Sequence, residues 1–95
     1  MSLLHQHLHE LRLMRDQAAI DGQWIAADNG ATFAVSNPAD GSVIAQVADL
    51  GQAETARAIE AANRAFPAWR SRTAKERSRI LRRWFELITA HQEDL

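Results

Sequence analysis

Ninety-five residues, 46% of them hydrophobic and 24% charged, describe one small globular domain at most and exclude a disordered chain. The formal net charge of −1 supplies no global field to draw the chain to nucleic acid or a membrane surface. Cysteine is absent, which excludes disulfides, thiolate zinc sites and cysteine nucleophiles from these residues. No apolar run approaches the roughly 18 residues of a membrane span. Met1-Ser2-Leu3-Leu4-His5 shows neither a basic leader nor an apolar signal core, so a cytoplasmic protein is expected.

Taken in chain order, residues 3–16 read as a short amphipathic helix, with Leu4, Leu8 and Leu11 at i, i+4 and i+7 and Met14 extending the stripe. From residue 18 the period changes. Asp21-Gly22 suits a two-residue hairpin turn, where both central residues take positive φ. Asp28-Asn29-Gly30 marks a second turn, and Thr32-Phe33-Ala34-Val35-Ser36 alternates with period two as a half-buried strand does. Asn37-Pro38 ends that strand, Asp40-Gly41 turns the chain, and Ser42 to Ala48 is the last strand. Three turns at short spacing predict an antiparallel meander.

Gly51-Gln52-Ala53-Glu54 opens a helix with Ile59, Ala62 and Phe66 on one stripe and Ala58, Ala61 and Ala65 beside them. Pro67 is expected to end or distort it near Ala65 or Phe66. Thr73-Ala74-Lys75-Glu76 is a capping box that starts a second helix. Ile80, Leu81, Trp84, Leu87 and Ile88, with Phe85 beside them, form its apolar face. Gln92-Glu93-Asp94-Leu95 carries no glycine, asparagine or proline stop, and Leu95 falls one heptad after Ile88. The helix is therefore expected to run on, as in a chain cut from a longer protein.

Chemistry-bearing constellations are weak. His5 and His9 have the i, i+4 spacing of a metal pair, but no third ligand accompanies them, and solvated residues near a terminus explain them better. Residues 70–83 hold Arg70, Arg72, Lys75, Arg77, Arg79, Arg82 and Arg83 against the single acid Glu76. Lys75, Arg79, Arg82 and Arg83 fall mainly opposite the apolar stripe, and no aromatic on that polar face offers base stacking, so nucleic-acid binding is not expected. Asp21, Asp28, Asp40 and Asp49 sit at predicted turns, where local backbone bonding favours aspartate. Gly22, Gly30, Gly41 and Gly51 are isolated, so no phosphate-binding glycine loop exists. Trp24, Trp69 and Trp84 read as packing surface rather than as a ligand pocket.

The order Ile20-Asp21-Gly22-Gln23-Trp24, Asn37-Pro38-Ala39-Asp40-Gly41, Ala65-Phe66-Pro67-Ala68-Trp69, Thr73-Ala74-Lys75-Glu76-Arg77 and Arg83-Trp84-Phe85 resembles the opening segment of the NAD(P)-dependent aldehyde dehydrogenases. The resemblance spans residues 18–95. Trp69-Arg70, Thr73 to Arg77, Ile80-Leu81-Arg82, Trp84-Phe85 and His91 to Leu95 look most like the bacterial succinate-semialdehyde dehydrogenases. The resemblance implies a parent enzyme, a homo-oligomer, whose cysteine adds to an aldehyde to give a thiohemiacetal. Hydride then passes to NAD or NADP, and a glutamate-activated water releases the acid.

None of those groups maps onto this sequence, so no catalytic, cofactor-binding or metal residue is assigned to it, and the 95-residue chain alone is expected to be inert. The expected fold is an α+β segment resembling the opening part of the α/β aldehyde dehydrogenase fold. It comprises an N-terminal helix (1–17), then the start of the cofactor-binding domain (18–95) as a small meander and two helices. Its implied partners are the remainder of the dehydrogenase chain and a small aldehyde, with neither membrane nor nucleic acid. The alternative is a free-standing α+β interaction module that binds a partner helix through the Trp84–Ile88 stripe.

Overall fold

A computed structural model describes residues 8–95. Its elements are β1 (Ala18–Ile20), β2 (Gln23–Ile25), β3 (Thr32–Ser36), β4 (Val43–Ala48), α1 (Gln52–Ser71) and α2 (Ala74–Ala90). The strands form two separate antiparallel hairpins, β1-β2 and β3-β4, rather than the expected continuous meander. The separation follows from the link between β2 and β3. Ala27 is buried, the Gly30 amide donates to the Ala27 carbonyl at 2.9 Å, and the Asp28 amide is drawn to α1 at 3.2 Å. The chain therefore turns away before β3 can pair with β2.

Both hairpins form as their turn residues require. Asp21 and Gly22 have φ of 54° and 73°, closing β1-β2 with Ile20 opposite Gln23. In the second hairpin the Asp40 carboxylate accepts the Ser42 amide at 2.9 Å and its hydroxyl at 2.7 Å. These bonds from Ser42 hold the Asp40 carboxyl below the usual carboxylate range.

The expected helix over residues 3–16 lies partly outside the described residues. From residue 8 onward it is replaced by a single 3-10 turn, Leu11–Leu13. The physical reason is a competing acceptor. In an α-helix the amides of His9 and Glu10 would donate to carbonyls four residues earlier. Here they donate to the two oxygens of the Asp94 carboxylate, each at 2.8 Å. A charged acceptor with two backbone donors outweighs two ordinary helix bonds.

The α1 helix runs through Pro67 to Ser71, correcting the expected stop near Ala65 or Phe66. Proline removes one donor from the ladder, and residues 62–68 are exposed, so water can satisfy the carbonyl left behind. Helix α2 starts at the predicted Thr73 cap, whose hydroxyl accepts the Glu76 amide at 3.2 Å, but the return bond of the capping box, from the Thr73 amide to the Glu76 carboxylate, is not formed. Thr73→Ala is expected to cost about 1 kcal/mol at that end. Hydrogen exchange should detect this as roughly fivefold faster exchange in the first turn of α2, with the last turn unchanged.

The same helix stops at Ala90 and does not run on through Leu95. The His91 amide is shared between the Leu87 and Ile88 carbonyls at 3.1 and 3.2 Å. Residues beyond it curl so that Asp94 can take the two amides of the N-terminal stretch.

Candidate functional site

Two features are built by residues distant in sequence, a polar node beneath α1 and a large uncovered apolar surface. The node centres on Glu54, only 6% exposed. Its carboxylate accepts the Gly51 amide at 3.3 Å and the Asp28 amide at 3.2 Å, tying the N-terminus of α1 to the loop after β2. Amide bonds from its own residue, Gly51 and Asp28 hold its carboxyl below the usual carboxylate range. One turn along α1, Arg57 grips Asp28 with both guanidinium nitrogens, at 2.9 and 2.7 Å, and holds that carboxyl low as well. A cleft of about 360 Å³ opens beside this pair, between the first hairpin and α1. Sequence reasoning passed over Glu54 as a helix opener. A glutamate three residues after an N-cap glycine was the available signal.

The face of α1 that packs is the alanine face. Glu54, Ala58 and Ala61 stand at i, i+4 and i+7, and Ala61 is buried where α1 meets β1. Alanine lets the helix approach the hairpin closely. The larger stripe is left open, with Ile59 at 65% and Phe66 at 53% exposure. On α2 no residue is buried, and Ile80, Leu81, Trp84, Phe85, Leu87 and Ile88 all remain exposed. Trp24 and Trp84, read as packing residues, are 47% and 63% exposed. The Arg15 guanidinium lies over Trp24, 4.6 Å from its ring centroid.

Magnitudes show how incomplete the packing is. The accessible surface is 7718 Å², whereas a folded monomer of this mass exposes about 5,500 Å². The radius of gyration is 16.7 Å, against about 12 Å for a compact domain of this length. Buried apolar residues are limited to Ala27 and Ala61 among the described residues. The helices leave their apolar faces open rather than enclose a core.

The ionisable groups singled out in the sequence fall into separate places. His9 approaches Asp94 at 3.6 Å through its Nδ1, while His5 lies outside the described residues. No group of three His, Asp or Glu residues is arranged to hold a metal among the described residues. Asp21 faces Arg64 at 3.7 Å, and Asp40 serves its turn. No helix among the described residues is long and apolar enough to cross a membrane.

The N-termini of α1 and α2 are not open to a pyrophosphate. A pyrophosphate needs free backbone amides at a helix N-terminus. At α1 the Glu54 carboxylate occupies that position, and Asp28 and Asp49 line the same hollow. At α2 the Thr73 hydroxyl caps the end. A phosphate at α1 would have to displace the Glu54 carboxylate from the Gly51 amide.

Two hairpins are followed by two helices whose apolar faces are uncovered, and comparison with known proteins identifies the family. The sequence profile of the aldehyde dehydrogenase family matches residues 24–95, and the chain belongs to that family. It is 59% identical over 88 residues to the glutarate-semialdehyde dehydrogenase of Pseudomonas putida, covering 93% of this chain and 18% of that protein. It is 52% identical over 88 residues to the succinate-semialdehyde dehydrogenase (NADP+) GabD of Escherichia coli, again over 93% of this chain and 18% of that one. The crystal structure of an NADP-dependent enzyme of E. coli superposes with a TM-score of 0.88 at 52% identity, covering 92% of this chain and 18% of that one. The chain thus spans about a fifth of the length of the relatives it matches.

Proposed function

We propose that this chain is the opening scaffold segment of an NAD(P)-dependent aldehyde dehydrogenase that oxidises succinate semialdehyde, or a close homologue of it, to the acid. One observation carries the substrate class: identity of 52 to 59% over 93% of the chain to relatives named for semialdehyde substrates. The open faces of α1 and α2 support the scaffold role, since they supply apolar area for a larger body to cover.

In this reading the nucleophilic cysteine, the general-base glutamate and the dinucleotide site belong to the parent protein outside residues 1–95. The present residues contribute position and no chemistry. NAD or NADP accepts the hydride when bound to the parent, and the helix ends of this segment are already occupied by Glu54 and Thr73. The parent is read as a cytoplasmic homo-oligomer.

The test begins with the intact mass of the natural protein, then follows reduced cofactor at 340 nm with succinate and glutarate semialdehydes and either cofactor. Cysteine-dependent turnover by the long protein, and none by the 95-residue chain, is the expected result. A natural protein of 10.6 kDa, or a long one inactive on both semialdehydes, would overturn the proposal.

A further inference from the structure

A groove of about 570 Å³ lies between the end of α1 and the first turns of α2, with Trp69, Arg77, Ser78, Leu81 and Phe85 among its walls. Arg77 is out of place there. It shares the i, i+4, i+8 stripe of Leu81 and Phe85, so it is a cation set within the apolar face rather than opposite it. The residue is half-buried, and its Nε is buried with no hydrogen-bond acceptor. A sealed donor without a partner is disfavoured, and in native proteins such groups are nearly always satisfied.

The surroundings specify the sign of the missing partner. Seven basic side chains between residues 70 and 83 face Glu76 and Glu86 alone within residues 70–86. Arg82 and Arg83 share Glu86 at 3.8 and 3.6 Å, and Arg82 also lies 4.7 Å over the Phe85 ring. Arg70, Arg72, Lys75, Arg77 and Arg79 make no ion pair among the described residues. The chain as a whole is slightly acidic, so this surplus is local.

We propose that the groove seats an acidic apolar segment of the parent polypeptide outside residues 1–95. Its aspartate or glutamate pairs with the Arg77 guanidinium, the side chain turning within the groove so that Nε–H and a terminal N–H meet the carboxylate together as a bidentate pair. Flanking apolar side chains cover Trp69, Leu81 and Phe85. The inference rests on the reading that the chain is part of a longer dehydrogenase, whose relatives extend over more than five times the matched length. A second copy of the same surface is disfavoured, because a two-fold contact would bring the two basic rims together. A free phosphate satisfies the charge but leaves the apolar walls uncovered.

The test uses the full-length protein with Phe85→p-benzoylphenylalanine, photolysed and digested, with the crosslinked peptide identified by mass spectrometry. The expected product is an intramolecular crosslink to a peptide outside residues 1–95 that contains an aspartate or glutamate. Arg77→Glu should then lower the melting midpoint by roughly 5 °C. Replacing the identified acid by arginine in the same molecule should recover at least half of that loss.

A crosslink to a second copy, to co-purified nucleic acid, to residues 1–95 or to an acid-free peptide overturns the inference, as does no crosslink or no recovery. Semialdehyde oxidation is assayed on the same sample. Turnover without the acidic crosslink sinks the inference and leaves the dehydrogenase reading standing, whereas loss of turnover in the parent sinks that reading.

Discussion

Purified alone, the 95-residue chain is expected to show a helical far-ultraviolet circular dichroism spectrum that fades over a broad temperature range, with no cooperative midpoint. Compact domains of about this size melt sharply because unfolding exposes a large buried apolar area at once. Here only Ala27 and Ala61 are buried apolar residues among those described, and the surface is about 40% larger than a folded monomer of this mass presents. Little remains to be exposed by heating. The helices persist through local bonds, the Thr73 cap and i, i+4 contacts rather than through a core.

The same surface should bind the dye ANS strongly and drive association at micromolar concentration. Trp84→Lys is the informative variant, because Trp84 is 63% exposed. It should reduce dye binding severalfold while leaving helical content unchanged, the opposite of what a core tryptophan does. A sharp two-state melt with little dye binding would instead favour a free-standing interaction module. This single measurement therefore separates the scaffold reading from its rival.

The second large effect is expected at Glu54. In the 95-residue chain, or in a longer protein that carries it, Glu54→Ala should abolish the link between the α1 N-terminus and the loop after β2. Removing the carboxylate leaves the Gly51 and Asp28 amides without their acceptor. Their exchange protection should fall at least tenfold, while the β3-β4 amides keep theirs. Glu54→Gln retains an acceptor oxygen without the charge and should lose less. Unchanged protection at Gly51 and Asp28 in Glu54→Ala would show that the node has no structural weight.

The pH dependence has a definite sign. Glu54 is held below its ordinary value by amide donors, so its contribution is fully present above the unfolded carboxylate value of about 4.3 and is lost as pH falls through the lower folded value. Protection at Gly51 and Asp28 should be flat from neutral pH to about 5 and decline below about 4. Asp28, depressed by Arg57, and Asp94, depressed by the His9 and Glu10 amides, act in the same direction. Glu54→Gln isolates the first contribution, since that variant should lose its share of the acid sensitivity and keep the rest.

The elements legible in the sequence are those whose cause is local. Asp21-Gly22 dictates a positive-φ turn whatever surrounds it, and Thr73 caps α2 from three residues away. The alternation of residues 32–36 places β3 at the residues where it is found, although all five are exposed and neither face is buried as the alternation implied. Family membership was legible for a similar reason, since ordered short motifs survive without any knowledge of contacts.

What the sequence left open was decided by acceptors far along the chain. Residues 8–16 carry a helical stripe, yet Asp94, more than eighty residues away, takes the amides a helix would need. The β2–β3 link carries ordinary turn residues, yet Glu54 and Arg57 pull Asp28 toward α1 and split the meander into two hairpins. Periodicity marks two apolar faces on α1 without saying which one packs. The tertiary structure chose the alanine face, because a helix without bulky side chains can sit close to a hairpin, and it left Ile59 and Phe66 exposed. Local chemistry fixes turns and caps; which amide meets which distant carboxylate, and which face is buried, depends on the assembled chain.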